Sequence, residues 1–255
     1  MKKTKLLLFP VLMCLLASPA LGQKGLKLGA FLQPQASVLY NDYDQSLDED
    51  DYRLGILDGI GAGLSLGYDF NDYIGFRLQG IYSLQGGKYT NRRDINTRNT
   101  YVTRLEYLKV PLMLHFNSNP TNRKAVFVFE AGAQLGLLTR AWEYNDNPAF
   151  DPGIPSNFSN FPTTKETFVP YTVSLVGGIG FDVRLNYDLQ MNLRLMGDYT
   201  LQDVEDKDQT YRVSQNGNTV DAKYWEWARD ITRNAETYGI TGGLLIGVTW
   251  MFSNE

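Results

Sequence analysis

Cysteine and histidine are almost missing from this chain. There is one of each, Cys14 and His115. Cys14 sits in an apolar stretch at the N-terminus, so everything after residue 22 lacks cysteine, which excludes disulfides and thiolate metal sites from that part. With a single histidine and no cysteine nucleophile, no Ser-His-Asp or Cys-His arrangement is readable. A lone histidine is expected to serve as a hydrogen-bonding filler rather than a catalytic base. Phosphate-cradling loops are missing too: Gly86-Gly87, Gly177-Gly178 and Gly242-Gly243 have no Lys-Ser/Thr successor. Beyond residue 22 no run approaches 18 consecutive apolar residues, so no helical membrane span is expected. Positive charge is also short. The formal net charge is −4, and setting aside Lys2, Lys3 and Lys5 leaves 21 basic against 28 acidic residues, which argues against nucleic acid as a partner.

Those three lysines belong to a segment that reads as an address rather than as fold. They form a basic n-region, Leu6 to Leu16 is an apolar h-region, and Ala20-Leu21-Gly22 places small residues where a signal peptidase reads them. The expected cleavage lies between Gly22 and Gln23, dividing the chain into a secretory signal peptide, 1–22, and a single barrel domain, 23–255. A short N-terminal anchor is the alternative, but the stretch is too short to span a bilayer comfortably. Cys14 follows Leu12 and Met13 inside the h-region, with no small residue just before it, so a lipid-modified cysteine is not expected. Export followed by a cysteine-free chain suits a bacterial envelope protein better than a disulfide-stapled secreted one.

What is abundant is alternation. Along 238–252, one set of alternate residues is Tyr238, Ile240, Gly242, Leu244, Ile246, Val248, Trp250 and Phe252. The other is Gly239, Thr241, Gly243, Leu245, Gly247, Thr249 and Met251, which is small and mostly polar. Period-two patterning of this kind recurs over 25–40, 60–70, 73–85, 101–116, 125–138, 168–185 and 189–199, making eight expected strands. The connections between them alternate in length. Residues 71–72, 117–124 and 186–188 are short and rich in turn formers, while 41–59, 86–100, 139–167 and 200–237 are long. The expected fold is therefore all-β: an eight-stranded antiparallel up-and-down barrel with short turns at one end and long loops at the other. An even strand count places both termini at the short-turn end.

Alternation alone does not say which face is wet. A soluble calyx that binds an apolar ligand carries the same pattern inverted. Three features favour a transmembrane barrel with the apolar face outward. The polar set is rich in glycine, including Gly29, Gly63, Gly178, Gly180 and Gly247, which a water-facing surface does not need but a crowded narrow lumen does. Aromatic residues mark the ends of the apolar faces: Tyr40, Tyr68, Phe70, Tyr82, Phe116, Phe127, Tyr199, Tyr238, Trp250 and Phe252. Finally, Gly247, Trp250 and Phe252 are spaced like the C-terminal signal read by outer-membrane assembly machinery, an expected partner. The expected location is the bacterial outer membrane, with both termini periplasmic.

The inward set carries charges: Lys27, Asp69, Arg77, Lys109, Glu130, Asp182, Arg184, Arg194 and Asp198. Eight strands enclose a lumen just wide enough for side chains to fill, and charges buried there must pair. Glu130 is expected between Lys109 and Arg184, within a polar plug rather than an open pore. No cofactor, metal or catalytic residue is expected. An acidic first loop (Asp42, Asp44, Asp48, Glu49, Asp50, Asp51, Asp58) lacks EF-hand spacing and reads as solvated. A basic second one (Lys88, Arg92, Arg93, Arg98, Arg104) could meet lipid phosphates or the acidic loop. Aromatics in the third (Trp142, Tyr144, Phe150, Phe158, Phe161) and fourth (Tyr224-Trp225-Glu226-Trp227) read as loop packing or a contact surface.

The stretch Tyr107-Leu108-Lys109-Val110-Pro111-Leu112 resembles the fourth strand of the PorT-like outer-membrane β-barrel proteins of Bacteroidetes-type bacteria. Glu130 to Gly136 and Leu175 to Gly180 resemble strands five and six of that family, and the likeness runs over essentially the whole chain. It implies an eight-stranded outer-membrane barrel. One member of the family takes part in secretion and gliding machinery, while most have no assigned activity. The expected function is that of a non-enzymatic barrel whose long loops meet the envelope: outer-membrane lipid, lipopolysaccharide or a secretion complex. A barrel-type enzyme of lipid or lipoprotein processing is the alternative.

Overall fold

The computed structural model describes residues 25–41, 52–91, 99–118, 124–145, 167–206, 210–215, 218–223 and 236–252. Eleven strands lie within them: β1 (Leu26–Asn41), β2 (Tyr52–Gly55), β3 (Leu57–Asp69), β4 (Ile74–Asn91), β5 (Asn99–Asn117), β6 (Ala125–Asn145), β7 (Tyr171–Arg184), β8 (Leu189–Thr200), β9 (Thr210–Gln215), β10 (Asn218–Lys223) and β11 (Thr237–Phe252). Eight of them close a ring in the order β4-β3-β1-β11-β8-β7-β6-β5, with β5 returning to β4 and every pairing antiparallel. Closure leaves the barrel itself without an edge, so each of its strands has a neighbouring strand on both sides to pair with, as a hydrocarbon surround requires. Among the described residues no helix is long and apolar enough to cross a membrane.

The parity of each strand decides its faces. Leu64, Leu135, Leu195, Leu112, Leu32 and Leu175 project outward and are more than half exposed. Their inward neighbours Ser65, Gln134, Arg194, Met113, Gln33 and Ser174 are buried. This fits the membrane reading and reverses the calyx, whose apolar residues would face inward. Near the short-turn end the outward aromatics touch one another. Phe70 lies 5.7 Å from Tyr68 and 5.8 Å from Phe76, and Phe127 lies 5.6 Å from Phe181. At the opposite end Tyr199 stacks on Tyr238 at 5.6 Å. Aromatic residues at both rims of an apolar belt are what two membrane–water interfaces favour.

Two of the short turns use one device. Asn71 Oδ1 accepts from the N–H groups of Tyr73 and Ile74 at 2.8 and 2.9 Å. Asn186 Oδ1 accepts from those of Asp188 and Leu189 at 2.9 and 2.7 Å. An asparagine side chain that mimics a backbone turn reverses the chain in very few residues. Both chain ends of the barrel meet here, where Leu26 pairs with Phe252.

Strand lengths depart from the sequence reading at the other end. β4, β5 and β6 run on past 85, back to 99 and on to 145, and β2 pairs with the extension of β4. β6, at 21 residues, would reach about 70 Å if straight, against about 40 Å for the 12 residues of β8. One side of the barrel therefore rises as a wall. Conversely, the sixth expected strand begins at Tyr171 rather than residue 168, because Pro170 separates it from Phe168, which bridges to Glu205 instead. A small two-stranded sheet, β9–β10, stands in the last long connection. It lies outside the eight expected strands, although Asn216-Gly217, between its two strands in sequence, is a strong hairpin signal.

Candidate functional site

The lumen holds the chemistry, and the inward residues of β5 sample it level by level. From the short-turn end they are His115, Met113, Pro111, Lys109, Tyr107 and Leu105, all buried. Together they pass through every layer, with Tyr107 and Leu105 both in the last.

The first layer is ionic. Glu130 Oε1 lies 3.0 Å from Arg77 Nε, 3.3 Å from Arg194 Nη1 and 2.7 Å from His115 Nδ1. Arg194 also donates from Nη2 to Asp182 Oδ1 at 2.5 Å, which Asn192 Nδ2 approaches at 2.8 Å. Thr249 Oγ1 closes the network on Asn192 Oδ1 at 2.5 Å. Lys27 and Asp69 pair at 2.6 Å beside it. Glu130 stands on β6 but reaches guanidiniums on β4 and β8, each one strand beyond its neighbours. Glycine makes that reach feasible. Arg194 lies across Gly180, its Cγ only 2.8 Å from where a Cβ would stand. These charges share one desolvated cluster, in which every ion needs its partners.

Above it lies an apolar layer formed by Phe31, Ile81, Met113, Val176, Met196 and Leu245. Phe31 fits because Gly63 and Gly247 flank it, with ring and Cβ atoms 2.7 and 2.8 Å from the positions their Cβ atoms would take. The third level is polar again. Lys109 Nζ donates to both oxygens of Asp198 at 3.0 Å. Gln35 Nε2 donates to Ser83 Oγ at 2.7 Å and to the Leu84 carbonyl at 2.8 Å. Lys109, Asp198, Gln35 and Ser83, with Gln33, Gln79 and Gln134 and with Ile81, Val176 and Met196 of the apolar layer, surround a cavity of about 10 Å³, room for roughly one water.

The fourth layer is a cap. Leu39, Leu105, Tyr107 and Leu138 from the wall meet Phe168 and Val204 from two long connections. Those segments cross the mouth tied to one another and to the wall. Val169 N donates to Val204 O at 3.0 Å, Asp206 N to Thr167 O at 2.9 Å, and Leu138 N to Pro170 O at 2.8 Å.

Set against the sequence expectations, the structure brings Arg77, Glu130, Asp182 and Arg194 together, and separately pairs Lys27 with Asp69 and Lys109 with Asp198. Two expectations are corrected. Arg184 is exposed, since two residues beyond Asp182 the strand has reached the turn and its side chain leaves the lumen. Glu130 does not meet Lys109, which stands above the apolar layer. The fill is also not polar throughout, because Ile81, Val176, Met196 and Leu245 are inward and apolar. In the remaining sites, Gly247 is buried against Phe31, whereas Trp250 and Phe252 point outward and are half exposed. Tyr107 and Pro111 face the lumen and Leu108 faces out.

Lys88 and Arg104 are half-buried, Asp58 is exposed, and Arg104 Nη1 donates to the Asp58 carbonyl at 3.3 Å. Trp142 is half-buried. The signal segment with Cys14, Gly22 and Gln23 lies outside the described residues. So do the acidic run 42–51, Arg92, Arg93, Arg98, Phe150, Phe158, Phe161, Tyr224-Trp225-Glu226-Trp227 and the side chain of Tyr144. Among the described residues no group of three or more His, Cys, Asp or Glu is placed to hold a metal.

A model of the outer membrane protein beta-barrel domain family matches residues 22–206. No curated protein matches the chain. Among solved structures, OprG from Pseudomonas aeruginosa is similar at 14% identity and a TM-score of 0.46, covering 91% of this chain and 99% of that one. Ail of Yersinia pestis is similar at 10% identity and 0.41, covering 90% and 100%. The outer membrane protease OmpT from Escherichia coli is similar at 7% identity and 0.41, covering 90% and 97%. No TM-score here reaches 0.5, so nothing about function follows from these three.

Proposed function

The chain belongs to the family of outer membrane protein β-barrel domains, a bacterial outer-membrane family, and from that premise we propose that it is a non-conducting, non-enzymatic barrel acting through its long-connection end. One observation carries this reading: the lumen is filled at every level, by ionic, apolar and polar layers and then by a cap built from the connections themselves. A solute would have to displace buried ion pairs and two apolar layers. His115 and Glu130, the pair that most resembles acid–base chemistry, are fully buried, so a substrate has no route to them.

On this reading residues 1–22 are removed between Gly22 and Gln23, the short-turn end with both termini faces the periplasm, and the long connections face outward. Gly247, Trp250 and Phe252 serve the assembly machinery. Lipopolysaccharide and proteins of a secretion complex are the proposed partners. The likeness of Tyr107-Leu-Lys-Val-Pro-Leu112 to the PorT-like branch supports the latter. Planar-bilayer recording of the refolded mature protein tests the closed lumen: a flat baseline is expected, and discrete, reproducible conductance steps would overturn it.

A further inference from the structure

Two of the eight seams of the barrel are broken at mid-height, and both breaks fall at prolines. Along β1–β11 the pairing runs to Leu32↔Ile246 and resumes at Gln35↔Gly243, skipping Gln33 and Pro34. Along β4–β5 it runs to Leu78↔Leu112 and resumes at Ile81↔Lys109, skipping Gln79 and Gly80 opposite Val110 and Pro111. Proline has no N–H to give to a ladder, and in lipid no water replaces it. The β1–β3, β3–β4, β6–β7, β7–β8 and β8–β11 seams are continuous, and β5–β6 shifts register only at Glu106/Tyr107, nearer the rim.

The two breaks divide the ring unequally, into a panel of three strands, β1, β3 and β4, and a panel of five. Both border the same small chamber, with Gln33 at one and Gln79 at the other. At this level each panel is tied within itself. Gln35 on β1 reaches over β3 to Ser83 and Leu84 on β4, while Lys109 on β5 pairs with Asp198 on β8. Between the panels stand apolar contacts and the Gln79 amide, whose Nε2 and Oε1 have no hydrogen-bond partner. Polar ties across the divide lie above and below: Thr241 to Gln85 at 3.2 Å, Asn41 to Thr237 at 2.9 Å, and Arg77 to Glu130 at 3.0 Å.

We propose that β1, β3 and β4 form a panel that yields as one unit at mid-membrane, along seams weakened by Pro34 and Pro111, widening the chamber while the ionic layer and the cap stay closed. The motif residue Pro111 thereby gains a mechanical role.

Amide hydrogen exchange of the mature protein in lipid nanodiscs tests this. Amides flanking the gaps, at Leu32, Ile246, Ile81 and Lys109, should exchange about tenfold faster than those at the same height in the β6–β7 and β7–β8 seams. Equal rates would overturn the proposal. Pro34→Val and Pro111→Val should each slow exchange at both seams, because one panel spans them. A disulfide between Leu78→Cys and Leu112→Cys, clamping only β4–β5, should also slow Leu32 and Ile246. It serves if a proline variant fails to fold. Slowing confined to the altered seam would mean two independent local defects and would overturn the unit motion.

Discussion

The two ends of the lumen are shut by opposite chemistries. At the short-turn end the closure is ionic, with Arg77, Arg194, Glu130, Asp182 and His115 interlocked. At the long-connection end it is apolar, with Phe168 and Val204 laid over Leu39, Leu105, Tyr107 and Leu138. Connection length explains the difference. Turns such as 70–73 and 185–188 are too short to enter the barrel, so side chains from the strands must span the lumen, and Arg and Glu have the reach. Gly180 clears the path of Arg194. The long connections can instead bring backbone across the mouth. Its backbone pairs 167–169 with 204–206, which frees Phe168 and Val204 to cover the lumen.

The contrast should be broken most severely at Glu130. Glu130→Ala takes the carboxylate from the buried Arg77 and leaves Arg194 with Asp182 alone, and equilibrium urea unfolding in detergent should show a loss of about 3–5 kcal/mol. A loss under about 1 kcal/mol would mean that water already screens the cluster. Charge on the lipid face comes next: Leu135→Arg, placed on the outward face of β6, should cost about 2–4 kcal/mol in the same assay if that position is deep in hydrocarbon. The cap should respond differently in kind. Phe168→Ala should lower the unfolding free energy by less than about 1 kcal/mol, since local opening need not unfold the strands below. It should nevertheless speed protease cleavage of the connections in the folded barrel. Unchanged cleavage would show that Phe168 does not hold the cap. The smallest effect belongs to Arg184→Ala, within about 0.5 kcal/mol, as for an exposed side chain without buried partners. A change as large as that from Arg194→Ala would return Arg184 to the lumen network.

What the sequence disclosed depended on locality. The faces of β11 follow from parity over Tyr238 to Phe252, and the Asn71 and Asn186 turns follow from single residues in the chain. The inward direction of Arg77, Glu130 and Arg194 is likewise a local property. Their partners are not. Strand adjacency suggested Lys109 and Arg184 for Glu130, whereas the actual guanidiniums come from β4 and β8, because lumen side chains meet across the barrel and past intervening glycines. The apolar middle layer was equally hidden. Ile81, Val176, Met196 and Leu245 are scattered over four strands and become a layer only when stagger brings them to one height. The β9–β10 hairpin is a plain miss, since its Asn-Gly signal was present.

By itself, then, the sequence determined the eight strands of the barrel, the face that nearly all of their residues present and the alternation of short and long connections, because a period of two is written into every pleated strand. Tertiary structure alone decided the layering of the lumen, the partners of Glu130, the cap made by Phe168 and Val204, and the division of the wall at Pro34 and Pro111. Each of these depends on the register in which a closed sheet meets itself, and no segment of the chain carries that register in isolation.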